Sequence, residues 1–318
     1  MSLSKTPDLS VAANLLKGSP WENLPLEKLP WYSPEIQEIT PQAQELFEKY
    51  SNVEPEKVKA HIKELRDKAY VVFPYPCLAR WAFLELSVSL SRQYGEVLER
   101  VKNGDKCKWS VAHPVRLYFG ANQSLDLDLG CCVGQDIRKL VFDGAPSENT
   151  YGSDLEKNFM EIGYDLFLDK STLKTTFIAA DIFDEDSELK QIAGDIDIIH
   201  AASFLHLFDE EGQHKSCKRI VKLLKDEEGS LFIGRQIGNV EAGIHVGSID
   251  SSKKRFRHNP LTFEELWKKV GEETGTKWKV DAYLEDQNLH ALAEKMGLES
   301  ATIPPGSKWL SFAVRREA

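Results

Sequence analysis

One short stretch carries the strongest chemical signal, because an apolar segment ends in an acid and leads into two closely spaced glycines. Residues 125–136 read LDLDLGCCVGQD. The pattern predicts a strand that ends near Asp128, a turn at Gly130 and a helix that starts near Gly134. Glycine has no Cβ, so the backbone of this turn can approach a ligand closely. In an open α/β sheet, ligands bind at the carboxyl ends of the strands, which is where the turn would lie.

The spacing of the glycines argues against a dinucleotide. The fingerprint G-x-G-x-x-G, counted from Gly130, would need glycines where the sequence has Cys132 and Gln135. A pyrophosphate therefore fits poorly, and so does a nicotinamide-dependent dehydrogenase. A nucleoside without phosphates fits the turn better.

Acids at the ends of the next two strands are the second signal. Asp154 follows the second strand, where a carboxylate can accept hydrogen bonds from a ribose diol. Asp181 and Ile182 follow the third strand, where they could hold an adenine by its amino group and its face. A single acid after a strand is weak evidence, since strands often end in Asp. The same order at successive strand ends is a strong indication of a nucleoside site.

Several cationic groups are candidates for the other end of such a site. His206 follows the fourth strand and could accept a proton from a hydroxyl or form a hydrogen bond with a carboxylate. Alternatively, it could be a structural histidine that forms a hydrogen bond with the backbone. Arg80 lies in an apolar segment, where an unpaired guanidinium would be costly, so it either binds a carboxylate bidentately or pairs with a distant acid. Arg235 has the same two interpretations. His200 is expected to be structural. The basic run 253–258 is expected to be a solvated loop, of which one residue could still contact the substrate.

The elements that must position these residues alternate between strand and helix from about residue 111. This alternation predicts an α/β fold with a mostly parallel sheet covered by helices on both faces, although the last two strands could form an antiparallel end. The predicted strands are 124–129, 149–153, 175–179, 195–200, 230–236, 277–284 and 309–315, and the predicted helices are 134–142, 155–168, 210–225, 262–273 and 286–296.

The first third of the chain reads differently. Its first forty residues are rich in proline and contain Trp21 and Trp31, so they should be irregular but packed onto something. Helical periodicity follows, and residues 78–94 are apolar on nearly every face, which predicts a buried helix. We therefore expect two regions, a helical region at 1–110 that covers a substrate and a ligand-binding core at 111–318.

Composition excludes several classes of protein. The chain has 318 residues and a net charge of −10, which argues against a nucleic-acid-binding protein. No stretch approaches the roughly 20 apolar residues needed to cross a bilayer. The five cysteines include no C-x-x-C pair, which predicts a reducing compartment and no metal site. We expect a cytoplasmic protein that binds no metal and can form a homodimer.

With these residues in place, a family resemblance is clear. The segments LDLGCCVGQDIRKLVFDGAP, YGSDL, GYDLFLD and AADIFD resemble those of class I S-adenosylmethionine-dependent methyltransferases. More narrowly, they resemble fungal O-methyltransferases of meroterpenoid and polyketide biosynthesis, over about residues 70–318. The resemblance implies a Rossmann-like seven-stranded sheet, S-adenosylmethionine as cofactor and S-adenosylhomocysteine as product. The sequence departs from many relatives at Cys132, where they have glycine, so the turn is expected to differ from theirs in detail while the fold is the same. The cofactor-binding residues that the resemblance implies are Asp128, Gly130, Cys131 and Gly134 at the methionine end, Asp154 and Leu155 at the ribose, and Asp181 and Ile182 at the adenine.

The resemblance also implies an activity. We expect methyl esterification of a carboxylate on a hydrophobic terpenoid or meroterpenoid intermediate, with His206 and Arg80 as candidate catalytic residues. A phenol or other hydroxyl acceptor is the alternative, in which His206 would act as a base. A third possibility is a protein that binds or cyclises its substrate in the same fold without methyl transfer.

Overall fold

The carboxyl ends of five parallel strands form one edge of the sheet, and this edge is where the sequence places the site. The computed structural model describes residues 21–103, 124–246, 254–290 and 303–318. Nine strands are found in these ranges: β1 (Asp126–Leu129), β2 (Thr150–Asp154), β3 (Thr176–Ala179), β4 (Ile198–Ala202), β5 (Leu231–Asn239), β6 (Gly243–Val246), β7 (Lys254–Arg257), β8 (Trp278–Asn288) and β9 (Ser307–Arg316).

Seven of these strands form one sheet in the order β3-β2-β1-β4-β5-β9-β8. The strands β1 to β5 are parallel, whereas β9 runs antiparallel to both β5 and β8. The predicted Rossmann-like, mostly parallel sheet is therefore confirmed. The antiparallel end that the sequence left open is also present, because β9 reverses direction between its two neighbours.

Helices cover the sheet on both faces. Successive side chains of a strand point to opposite faces, so both faces carry apolar side chains that must be buried. Along β4, Ile199 packs with Trp267 on one face, whereas Ile198 packs with Val97 and Leu140 on the other. The helices in the described ranges are α1 (Pro41–Glu45), α2 (Val58–Val72), α3 (Pro76–Ala79), α4 (Tyr94–Asn103), α5 (Gln135–Phe142), α6 (Lys157–Phe167), α7 (Glu210–Leu223) and α8 (Pro260–Thr274). None of these helices has the length and the hydrophobicity to span a bilayer.

The N-terminal helical region shares a core with the sheet domain. Trp31 and Phe47 lie in the same buried cluster as Phe167, and the rings of Phe47 and Phe167 stack at 5.2 Å. The Tyr50 hydroxyl donates to Asp169 at 2.8 Å, which fixes this region to the loop after α6. The predicted boundary between residues 110 and 111 lies outside the described residues.

The prediction of one buried helix over 78–94 is wrong. Helix α3 ends at Ala79, and Trp81 (φ 63°) and Leu86 (φ 51°) adopt left-handed backbone that no α-helix can accommodate. Two short 3₁₀ turns, Ala82–Glu85 and Ser87–Leu90, follow instead. The apolar residues of this segment do not share one helical face, because the two turns bury them in different directions.

Two predictions near the C-terminal half also need correction. The helix predicted at 286–296 starts too early, because β8 pairs with β9 as far as Asn288; residues 291–300 lie outside the described part of the chain. The prediction that the basic run 253–258 is a solvated loop is also wrong, because β7 pairs with β6 in an antiparallel hairpin and Arg257 is buried. Lys253 lies outside the described residues.

Candidate active site

A cavity of about 1390 Å³ lies at the carboxyl ends of the parallel strands. Ligand pockets usually measure about 300–1,000 Å³, so this one can hold a nucleoside and a second molecule together. One part is lined by residues at or just after the ends of β1 to β4, including Gly130, Asp154 and Asp181. The other part is lined by the N-terminal region around Tyr75, by β5 and β7, and by the start of β9.

The turn after β1 is shaped by a glycine that cannot be replaced without collision. The backbone N–H groups of Gly130 and Cys131 both donate to the Ser153 carbonyl, at 2.7 and 3.0 Å. Gly130 has a φ of 78°, and a Cβ there would lie 2.8 Å from Phe204 Cδ2. Because Gly130 has no side chain, the turn can pack against Phe204, and its backbone lines the cavity directly.

Asp154 ties the turn to the end of β2. Its Oδ2 accepts the Cys132 N–H at 2.9 Å and its Oδ1 accepts the Glu156 N–H at 3.0 Å. Burial raises the pKa of the Asp154 carboxyl above its usual value. Each carboxylate oxygen has two acceptor sites, so both can still accept from a hydroxyl pair in the cavity. Leu155, the next residue, is exposed and also lines the cavity.

Asp181 and Ile182 form a further part of the same wall. Asp181 Oδ1 accepts the Phe183 N–H at 2.9 Å, which turns the chain after β3. Ile182 is buried, whereas Phe183 is 43% exposed and meets Phe208 edge to face at 5.0 Å. A flat apolar group such as a base fits beside these side chains.

Three of the predicted cofactor-binding residues do not line the cavity. Asp128 is buried, and its Oδ1 lies 3.3 Å from His200 Nδ1. Cys131 is fully buried, which raises the pKa of its thiol well above the usual range. Gly134, at φ 69°, precedes α5 behind the turn. These residues support the turn from behind, whereas Gly130, Asp154, Leu155, Asp181 and Ile182 face the space.

His206 lies at the rim, in a short 3₁₀ turn after β4. Its Nδ1 accepts the N–H of Ile237 at 3.0 Å. A backbone N–H can only donate, so Nδ1 carries no hydrogen and the neutral ring carries its hydrogen on Nε2. Burial, followed by the charges of Arg257 and Arg255, keeps the pKa of His206 well below its usual value. The ring is therefore a neutral hydrogen-bond donor towards the cavity.

Arg80 contributes a cation from the N-terminal region to the same cavity. Burial lowers the pKa of its guanidinium to about 10, so the group is still protonated at neutral pH. Its Nε has no hydrogen-bond partner, and no acid of the described residues forms an ion pair with it. The surroundings are apolar and aromatic, with Phe73, Tyr75 and Phe83 among the lining side chains.

Comparisons with known proteins identify the family. Residues 31–84 match the family described as "Meroterpenoid methyltransferase N-terminal domain". The chain is 39% identical over 290 residues to O-methyltransferase phiE of Fungal sp. (strain ATCC 74256), which covers 90% of each protein. It is 37% identical over 255 residues to the Asnovolin E/Chermesin D methyltransferase nvfJ of Aspergillus novofumigatus, covering 80% of this chain and 84% of that one.

The chain belongs to this family of fungal methyltransferases. The resemblance predicted from the sequence is confirmed. Among solved structures, phosphoethanolamine N-methyltransferase 2 of Haemonchus contortus is 15% identical with a TM-score of 0.45, covering 71% of this chain and 58% of that one. Methyl transfer from S-adenosylmethionine in natural-product biosynthesis follows from membership of the family.

The cavity fits the methyl donor of such a methyltransferase. S-adenosylmethionine is a nucleoside without phosphates, and its ribose diol suits the Asp154 carboxylate, which otherwise accepts only backbone N–H groups. Gly130 lines the cavity with its backbone alone, since any side chain at this position would collide with Phe204. Ile182 and Asp181 offer an apolar face and a carboxylate for the adenine.

Two arginines of this methyltransferase show what the sequence could and could not predict. Arg235 pairs with Glu85, and its guanidinium lies 4.3 Å from the ring centroid of Trp309, so the ion-pair interpretation holds for it. Arg257 was missed, because a run of basic residues is usually solvated. The alternation of Arg255, Phe256 and Arg257, which suits a strand, is the signal that could have found it.

Proposed function

We propose that the protein transfers a methyl group to a carboxylate of a hydrophobic, terpenoid-derived acceptor and forms a methyl ester. The observation that carries this proposal is Arg80, a half-buried and protonated guanidinium that lines the cavity without an acid partner among the described residues. A guanidinium matches a carboxylate bidentately. Its apolar surroundings suit a hydrophobic skeleton.

Each residue at the donor end has a binding or positioning role in this proposal. Asp154 accepts hydrogen bonds from the ribose, and Asp181 with Ile182 holds the adenine. When bound, S-adenosylmethionine supplies an electrophilic methyl group on a cationic sulfur, which keeps the bonding electron pair when the methyl leaves. Asp128 and Gly134 fix the turn from behind, so the donor end is positioned before the acceptor enters.

At the acceptor end, Arg80 orients the carboxylate so that one oxygen forms the new bond to carbon. A carboxylic acid has a pKa of about 4, so it is already ionised at neutral pH and needs no base. The aromatic side chains of Phe73, Tyr75 and Phe83 limit the access of water to this end of the cavity, and the carboxylate oxygen is the nucleophile. Positioning supplies much of the rate in such a displacement.

The state of His206 favours a carboxylate over a phenol. A phenol has a pKa of about 10 and reacts faster when a base removes its proton. The Nδ1 lone pair of His206 already accepts a hydrogen bond from the Ile237 N–H, and the pKa of His206 is well below its usual value. It is therefore a poor base. The name of the relative phiE, an O-methyltransferase, supports transfer to oxygen, and nvfJ is named for a natural-product acceptor. The cytoplasmic location and the homodimer stay predictions.

The chemistry of the product tests the proposal. The protein is incubated with methyl-labelled donor and an extract of terpenoid acids, and the labelled product is treated with alkali. A methyl ester releases labelled methanol, whereas an aryl methyl ether keeps its label. We expect complete release, and a base-stable label would refute ester formation. The variant Arg80→Gln should lose most of the incorporation, whereas Arg92→Gln, whose guanidinium stacks on Tyr283 outside the cavity, should retain it.

A further inference from the structure

The β6–β7 hairpin brings a second unpaired cation to the cavity. Arg257 is 6% exposed, and its Nη1 donates to the His206 carbonyl at 3.1 Å. Its Nε has no hydrogen-bond partner, and no acid of the described residues forms an ion pair with it. Burial, followed by the charge of Arg255, lowers the pKa of Arg257 to about 10, so the guanidinium keeps its proton at neutral pH.

A buried cation without a counter-ion is costly, and Arg138 shows how the chain can avoid that cost. Arg138 is fully buried as well, but it forms two hydrogen bonds with Asp169, at 2.9 and 3.1 Å. Among the residues that the structure describes, no acid forms such a pair with Arg257. Arg255, two residues earlier on the same strand, also lines the cavity and adds a like charge. No acid of the described residues balances the charge of Arg257, so an anionic ligand can do so.

The two unpaired arginines come from different parts of the fold. Arg80 follows α3 in the N-terminal region, whereas Arg257 lies on β7 beside His206. Both line the same cavity. The His206 ring adds a neutral donor next to Arg257, because its Nδ1 is occupied by Ile237 and its hydrogen is on Nε2.

We propose that Arg257 and the Nε2–H of His206 form a second oxyanion-binding subsite. The acceptor is then a hydrophobic diacid, with one acidic group at Arg80 that is methylated and a second at Arg257 that is bound and retained. This inference rests on the proposed function and narrows its substrate class. The product is a monomethyl ester that still carries one acidic group.

Binding of simple acids tests the subsite without any methyl transfer. The probes are α,ω-dicarboxylic acids and monocarboxylic acids of equal chain length, titrated calorimetrically into protein saturated with S-adenosylhomocysteine. Their flexible chains allow the spacing of the two subsites to be found by varying length. We expect the best diacid to bind roughly tenfold more tightly than the matching monoacid, since a charged pair adds hydrogen bonds. Equal binding of the two acids, or no binding of either, would overturn the proposal.

Variants assign that preference to its residues. Arg257→Gln should reduce the diacid to the affinity of the monoacid, and Arg92→Gln, outside the cavity, should keep the wild-type preference. A preference that persists in Arg257→Gln would refute the subsite. The two proposals fail in different experiments. A base-stable methyl product would rule out ester formation, but it would not change the preference for diacids that calorimetry measures.

Thermal unfolding of the ligand-free protein separates a binding role from a structural one. Removing an unpaired buried charge should leave the Tm of Arg257→Gln equal to or above that of the wild type. Arg138→Gln should lower the Tm, because it leaves the buried Asp169 carboxylate without its counter-ion. A fall in Tm for Arg257→Gln as large as that for Arg138→Gln would make Arg257 structural and contradict the proposal.

Discussion

The N–H of Ile237 on β5 donates to Nδ1 of His206, which follows β4, at 3.0 Å. This one hydrogen bond decides what the imidazole can do, because it consumes the only lone pair of the neutral ring. A histidine at the rim of the cavity would otherwise suggest a general base. In the proposed reaction, the ring therefore donates a hydrogen bond to an oxygen of the acceptor and removes no proton.

We therefore expect a flat pH profile for methylation. His206 stays neutral above its lowered pKa, and a carboxylate acceptor is ionised above about pH 4, so neither group titrates between pH 6.5 and 9. His206→Asn, whose side-chain oxygen can still accept from Ile237, should lose less than about tenfold in kcat/KM at every pH. A steep loss near neutral pH that recovers in alkali would instead identify a base and a phenol acceptor.

Asp154 should dominate donor affinity. The variant Asp154→Ala removes the acceptor for the ribose and also releases the Cys132 N–H, so we expect the Kd for S-adenosylhomocysteine to rise at least tenfold. Calorimetry measures the Kd, and circular dichroism checks that the fold persists. The control is Asp186→Asn, whose side chain is 95% exposed and pairs with Lys190. Equal affinities in the two variants would refute the ribose assignment.

The contrast between Asp154 and His206 shows how far the sequence reaches. Strand ends can be read from apolar runs that finish in an acid, so the order of β1 to β4 and the location of Asp154 were predictable. The partner of His206 lies 31 residues away on another strand, and no local pattern specifies it. Similarly, the left-handed backbone at Trp81 and Leu86 comes from tertiary packing, because neither residue type favours it.

Gly130 should be more sensitive to substitution than another glycine with similar backbone. Gly130 and Gly194 have φ values of 78° and 79°, but a Cβ at Gly194 would meet nothing within 4 Å, whereas one at Gly130 would strike Phe204. Gly194→Ala should cost about 1 kcal/mol of unfolding free energy from left-handed strain. Gly130→Ala should cost about 1–3 kcal/mol more from overpacking. Chemical denaturation measures both, and equal costs would mean that Phe204 moves aside freely.

The cluster behind the turn should make stability depend on pH. Asp128 lies 3.3 Å from His200 Nδ1, and both side chains are buried together with Asp126. Burial alone would lower the pKa of His200, but the hydrogen bond and charge of Asp128 raise it to about 9. Burial raises the pKa of Asp126 to about 7. Between pH 7 and 9, His200 is therefore the main group of this cluster that loses its proton, whereas Asp126 completes its ionisation just above pH 7.

A raised histidine pKa stabilises the folded state fully below pH 6.5, and this contribution is lost as the pH rises through about 9. Between pH 7 and 9 the folded state binds more protons than the unfolded state, so the free energy of unfolding should fall by about 2 kcal/mol. Urea denaturation at several pH values measures the slope. The double variant Asp128→Asn with His200→Asn should flatten it. His214→Asn should not, because the pKa of His214 lies below its usual value, outside this range. A slope that survives in the double variant would show that His200 is neutral in the folded protein.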